Sequence, residues 1–269
     1  MMRTLRVIPT LLRVGLAEAV AYRAEMVIWV LATTMPFVMM VLWTTVASAA
    51  PVIGQGGQQW GSSSFIAYFL SVFVVRQLAS AWASWEINFE VRGGTLAMRL
   101  LRPLHPVLGY AMSNLAYMPQ RFLISLPVVA ILLAAYSDFM TTDVALWATW
   151  CVAMFGGWLI TFFVNVTIGA VSFFLESSLR IMDVYLAAFF VFSGYMFPLD
   201  LFPPWLRSTT EWLPFRYQIA LPVEVMTGKL ALGEAWLMIG KQYAWAFGLA
   251  ALGLFIWRQG VKRFQAFGG

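Results

Sequence analysis

The sequence predicts an all-α, polytopic membrane protein with about six transmembrane helices, on two observations. Of the 269 residues, 61% are hydrophobic and 11% charged; soluble domains run nearer half apolar and a quarter charged. The apolar residues also gather in runs long enough to cross about 30 Å of hydrocarbon. Most Lys and Arg stand at the ends of those runs, which is how topology signals are placed.

The elements follow in order. Leu5, Ile8, Leu12, Leu16 and Ala19 recur at helical spacing, with Arg6 and Arg13 on another face. Residues 1–25 therefore read as an amphipathic helix on the membrane surface; the alternative is an ordinary lead-in to the first span. A cleavable signal does not fit, because Arg13 and Glu18 interrupt its apolar core. The first span is Met26–Ala47, followed by a polar, glycine-bearing loop, Pro51–Ser64. The second is Phe65–Trp85, and the third runs from about Leu115 to Tyr136. After a short acidic loop comes the fourth, Val144–Phe174, longer than a span needs and so expected to tilt. A polar turn, Glu176–Asp183, leads to the fifth, Val184–Phe197, which Pro198 ends. Glu176, Arg180 and Asp183 are spaced to share one helical face there. The sixth is Ala235–Trp257, with Arg258, Lys262 and Arg263 behind it. Together residues 1–269 form one transmembrane domain.

Arginines fix the orientation. Arg3, Arg6, Arg13, Arg23, Arg92, Arg99, Arg102, Arg180 and the basic tail all fall on one side, and the first two loops of the other side have no Lys or Arg. The positive-inside rule makes the first side cytoplasmic, with both termini. Arg207, Arg216 and Lys229 run against the pattern, in one long external segment where the rule weakens.

Three places carry functional information. The first is the cytoplasmic region 88–107, containing "EVRGGTLAMRLLRPL". Gly93-Gly94 should break the helix continuing from the second span, Thr95 can cap a new one, and Pro103 and Pro106 should stop it. Leu96, Leu100, Leu101 and Leu104 give it an apolar stripe, with Arg99 and Arg102 off the stripe. So short a helix needs something to pack against: the bilayer, or a cytoplasmic partner. The second is the external region 194–230, where Pro198, Pro203, Pro204 and Pro214 cut an apolar chain into short pieces. These pieces suit re-entrant helices, an external cap being the alternative. The third is Arg76, mid-span and followed by Gln77. It could face a translocation path and an anionic head group, snorkel, or pair with a polar group such as Asn165. Arg121 and Lys241 stand closer to span ends and read as snorkelling.

Several functions are excluded. One His and one Cys, His105 and Cys151, cannot build a His-rich metal site or an intrachain disulfide. No phosphate-cradling G-x-x-x-x-G-K-[ST] stretch occurs, and the spans hold no paired carboxylates or Ser/His pair for intramembrane catalysis. The net charge of +5 is topological and gives no sign of nucleic acid.

The layout resembles the permease subunits of ABC exporters, more narrowly the second-class export permeases. These include drug, polysaccharide and lipid exporters; the likeness is to a bacterial branch with a separate ATPase chain. Gly194, Phe197-Pro198-Leu199, Pro204-Trp205-Leu206 and Leu213-Pro214-Phe215 carry the resemblance over the whole chain, and "EVRGGTLAMRLLRPL" looks like the coupling-helix region. The resemblance implies a non-catalytic subunit of an ATP-driven exporter in the bacterial inner membrane. Two cytoplasmic ABC ATPase subunits would carry the ATP and magnesium, this chain binding no cofactor, with a second permease, identical or related, and membrane lipid as further partners. It implies docking of the ATPase through Glu90, Arg92, Thr95, Leu96, Arg99, Leu100, Leu101 and Arg102. Arg76, Gln77 and Asn165 would line the path; Gly194, Pro198, Pro204, Trp205 and Pro214 would shape the re-entrant region. The alternative function is an ATPase-independent channel or membrane assembly protein. The substrate is open among hydrophobic drugs, glycolipids and lipid-linked polymers.

Overall fold

The computed structural model describes residues 33–264 other than 177, together with positions 9, 10, 13 and 17. The expected surface helix of residues 1–25 and the start of the first span thus lie outside the described residues, those four positions apart. Helix α1 is Met35–Ala49. The polar loop after it holds a small antiparallel hairpin, β1 (Val52–Ile53) with β2 (Gln59–Trp60), turned at Gly57 with φ +79°. Next come α2 (Ser62–Leu78), α3 (Ala83–Arg92), α4 (Leu96–Leu100), α5 (Pro106–Ala116) and α6 (Met118–Ala135). Then follow α7 (Val144–Val171), α8 (Ser178–Phe192), α9 (Pro204–Thr210), α10 (Ala220–Met226) and α11 (Leu232–Arg263).

Among the described residues, four helical stretches are long and apolar enough to cross a membrane: Ser62–Arg92, Pro106–Ala135, Val144–Val171 and Leu232–Arg263. They correspond to the second, third, fourth and sixth expected spans. α1 and α8 have 15 residues each, short of the about 20 an upright span needs. The third span starts earlier than expected, because Pro106 opens α5 at its first turn instead of closing the helix before it. The fifth helix is also displaced. It begins at Ser178 and ends at Phe192, well before Pro198, and Glu176 falls in the turn ahead of it. Glu176 therefore does not share a helical face with Arg180 and Asp183.

α7 is the axis of the bundle. Asp143 caps its start, its Oδ1 accepting from Ala145 N at 2.8 Å. Packed on it are α2, α3, α8, α10 and α11. Small residues let these neighbours approach, as is usual between membrane helices. A Cβ at Gly157 would stand 3.1 Å from the Gln218 carbonyl oxygen, and one at Gly169 2.9 Å from Ile87 Cβ on α3. Aromatic contacts tie α1 to α2, with Trp43 stacked 5.3 Å from Phe65 and Phe37 tilted 4.8 Å from Phe73.

Gly169→Leu is expected to unseat α3 from α7 and to cost about 1–3 kcal/mol by overpacking. It should lower the thermal midpoint of the detergent-purified protein. Gly233→Leu, where an added Cβ meets nothing within 4 Å, should leave the midpoint unchanged or higher.

Candidate functional site

The second span is interrupted. α2 ends at Leu78 and α3 starts at Ala83, where the sequence reads as one run. Backbone groups freed inside a membrane must find partners in the protein, and here three other helices supply them. Arg121 of α6 donates from Nη1 to the Gln77 and Ser80 carbonyls at 3.2 and 3.1 Å. Asn114 Oδ1 of α5 accepts from Trp82 N at 3.1 Å. Asn165 Oδ1 of α7 accepts from Ser84 N at 3.3 Å and from Ser84 Oγ at 2.8 Å. Ser80 Oγ donates back to the Arg76 carbonyl at 2.6 Å. The Arg121 guanidinium also lies over the Trp82 ring, 4.7 Å from its centroid. A cation at the carboxyl end of α2 complements the helix dipole as well. Arg121 is therefore a structural plug and not a snorkelling residue.

Arg76 sits in the last turn of α2, about halfway along the 31-residue stretch Ser62–Arg92. Its expected partner Asn165 is committed to Ser84 and, through Nδ2, to the Thr161 carbonyl at 2.9 Å. The Arg76 guanidinium instead lies over Phe189 and Tyr195, 5.1 and 5.9 Å from the ring centroids. Gln77 points elsewhere, donating to Thr33 Oγ1 at 2.8 Å. The structure thus does not gather Arg76, Gln77 and Asn165 into one group.

At the end of the bundle formed by α3, α4 and the start of α5, the chain folds into an elbow. Gly93 caps α3 and Gly94 takes φ +71°, the left-handed backbone that glycine permits. Thr95 stands at the N-cap of α4 without a side-chain capping bond. α4 covers five residues only, so the leucine stripe is divided. Leu96 is buried and Leu100 packs inward against the same core, whereas Leu101, past the helix end, is 81% exposed. Arg99 faces inward too. It bonds Glu86 at 2.6 Å and Glu90 at 2.7 Å on α3, and lies 4.4 Å over the Tyr110 ring of α5. Tyr110 OH donates to Glu90 Oε2 at 2.6 Å. Burial pulls the Arg99 pKa down, but Glu86 and Glu90 outweigh it and hold the guanidinium above its ordinary value. Arg92 donates to the Leu175 carbonyl at 2.6 Å. Of the expected docking residues, Glu90, Leu96, Arg99 and Leu100 therefore build the elbow. Thr95, Leu101 and Arg102 are exposed on it, and so are Phe89 and Met98. Met98 was hidden in the sequence because it stands off the leucine stripe, and Phe89 because it precedes the glycine turn, on α3.

At the hairpin end, residues 194–230 are seated in the bundle. Gly194 has φ +86° and its carbonyl accepts from Tyr68 OH of α2 at 2.7 Å. A Cβ there would stand 2.8 Å from that hydroxyl. α10 is buried along its whole length. Gln218 Oε1 accepts from Thr161 of α7 at 3.0 Å and from Tyr185 of α8 at 2.6 Å. Gln242 Nε2 of α11 donates to the Tyr217 and Ala153 carbonyls at 2.7 and 2.8 Å. Pro198 is buried and Pro214 half-buried, while Pro204 and Trp205 form the exposed start of α9. The three cations that broke the charge pattern are all neutralised here. Arg216 pairs with Glu224 at 2.9 Å and Glu211 at 3.3 Å; Asp200 takes Lys229 at 3.0 Å and Arg207 at 3.5 Å. They border an open cavity of about 430 Å³.

An all-helical bundle with membrane-length helices, one of them interrupted and held by buried polar side chains, defines a multi-pass membrane protein. Its interrupted span and the seated segment 194–230 are irregular backbone enclosed by protein, as a membrane interior requires. The model of the family described as "ABC-2 family transporter protein" matches residues 28–268. The chain belongs to that family, as a membrane permease component of an ABC transporter. No curated protein matches the chain.

Arg121→Met should leave two carbonyls at the interruption without donors and cost about 2–4 kcal/mol. Arg121→Lys, with one ammonium in place of a fork, should fall between it and the natural protein in a detergent-phase unfolding titration. His105 allows a pH test. Its Nδ1 accepts from Val107 N at 3.3 Å at the start of α5, and burial, then Arg258, lower its pKa from 6.5. The neutral ring is the folded form, so the cap's stability is full above 6.5 and is lost as pH falls through the lowered value. That loss should appear in the thermal midpoint and vanish in His105→Asn, which caps without titrating.

Proposed function

We propose that this chain is the translocation subunit of an ATP-driven exporter in a bacterial plasma membrane. Two cytoplasmic ATPase subunits bind and hydrolyse ATP with magnesium, and a second permease, identical or related, completes the path. In this reading the arginine-bearing end, with both chain termini, is cytoplasmic. The observation that carries the proposal is the surface of the elbow. Phe89, Met98 and Leu101 are 70%, 67% and 81% exposed, beside Arg92 and Arg102. Large apolar side chains grouped on an aqueous tip mark a protein contact, and an arginine rim suits the edge of such a contact.

The elbow is also built to transmit force. Arg99, Glu86, Glu90 and Tyr110 lock α3, α4 and α5 into one block, so a push on Met98 or Leu101 moves all three. The block meets the rest of the second span at residues 79–82, where no helical hydrogen bonds run through. Motion at the tip would thus turn the span about the interruption, and change the side on which the path between two permeases opens.

The test is copurification of the ATPase with the full chain, followed by coupled ATP hydrolysis in proteoliposomes. Met98→Asp with Leu101→Asp should cut recovery of the ATPase by about tenfold or more, as for the centre of an interface, with the thermal midpoint unchanged. Full recovery and full activity in that variant would remove the docking role. Function with no ATPase bound would replace it with a channel or assembly role.

A further inference from the structure

We propose that Arg76 marks a mid-membrane binding site for the anionic head of an amphiphile, a phosphate or carboxylate carried on a lipid-like chain. The inference deepens the permease reading and rests on it. Charge is the first argument. Among the described residues every ion pair lies at one end of the bundle or the other, and neither Arg76 nor Arg121 takes part. Arg121 is compensated by two carbonyls and the end of α2. Arg76 has the Phe189 ring and the ring and hydroxyl of Tyr195, and its buried Nε has no hydrogen-bond partner.

Depth is the second argument. A charge inside a membrane pairs internally, reaches the interface, or serves a ligand. About halfway along the 31-residue stretch Ser62–Arg92, with roughly 20 Å of α2 on one side and the interruption and α3 on the other, Arg76 is too deep for its side chain to reach an interface. It is half-buried, so one side stays open. A guanidinium is suited to that open side, because its planar fork takes phosphate or carboxylate oxygens in pairs. The third argument concerns the tail. Phe189, under the guanidinium, belongs to α8, whose Ile181, Val184 and Phe190 are exposed apolar side chains. An acyl chain laid along α8 would keep its head at Arg76, whereas a free inorganic anion gains nothing from that helix.

The test is native mass spectrometry of the detergent-purified full chain. Phosphatidylglycerol and phosphatidylcholine with the same acyl chains are titrated separately. One arginine's worth of charge preference predicts tighter binding of phosphatidylglycerol by about fivefold. Arg76→Gln should bring the ratio to about one, Arg76→Lys should keep it above one, and Arg102→Gln should leave it alone. Where Arg76→Gln fails to fold, Arg76→Met decides, since it also removes the charge and should bring the ratio to about one. A ratio of one in the natural protein, an unchanged ratio in a folded variant that removes the Arg76 charge, or full displacement by inorganic phosphate overturns the proposal. ATPase copurification is scored separately: a chain that holds its ATPase without this preference loses the anion site alone.

Discussion

Everything in this structure depends on how the interruption of the second span is satisfied. A helix that stops inside hydrocarbon leaves carbonyls at one end and amides at the other, and water is not there to take them. The chain meets that demand with side chains from three separate helices: Arg121 for the carbonyls, Asn114 and Asn165 for the amides. Each bond also fixes where its own helix must stand. α5, α6 and α7 are thereby registered against the break as well as against each other. A buried arginine on two carbonyls is costly to desolvate, so it specifies position more than it adds stability. Losing either partner leaves the other stranded, which is why the break and its plugs form a unit.

The rest of the bundle is arranged around that unit. On one side of it, α3, α4 and α5 are fused by the Arg99 cluster into an elbow with an apolar tip. On the other, α2 is held by Tyr68 and Gly194 to the segment 194–230, where Asp200, Arg207, Arg216, Glu224 and Lys229 pair among themselves. The contrast between ends and middle is informative. At the two ends, Arg99, Arg207, Arg216 and Lys229 each meet a carboxylate. Arg76, in the middle, has aromatic faces and an open side. The proposed coupling and the proposed ligand site meet at the same place, since Arg76 is in the last turn before the interruption.

Much of this was legible in the sequence, and the reasons are local. Apolar runs gave the membrane-length helices, and Gly93-Gly94 gave the turn of the elbow because a left-handed residue there has to be glycine. The prolines of residues 198–214 gave the short pieces of the segment 194–230. What was not legible was set by distant partners. No glycine or proline stands between Leu78 and Trp85, so the break has no local signature; its partners lie 32 to 81 residues away. Arg99 looked solvent-facing on a helical wheel. It turns inward because the elbow folds α4 back over Glu86 and Glu90. The fifth helix was misplaced for a similar reason: Pro198 suggested an end, but the helix stops at Phe192, where the Ser193 carbonyl is taken by Ala220 N at 3.0 Å.

The central claim is that the elbow moves as one block about residues 79–82 when the ATPase acts. Electron–electron spin distance measurements on the reconstituted complex, with and without ATP, test it most directly. One label pair spans the interruption, at Ser62 and Gly93; the other lies within the block, at Gly93 and Leu108. The account predicts that ATP shifts the first distance and leaves the second unchanged. A fixed first distance, or a second that changes as much as the first, would contradict it.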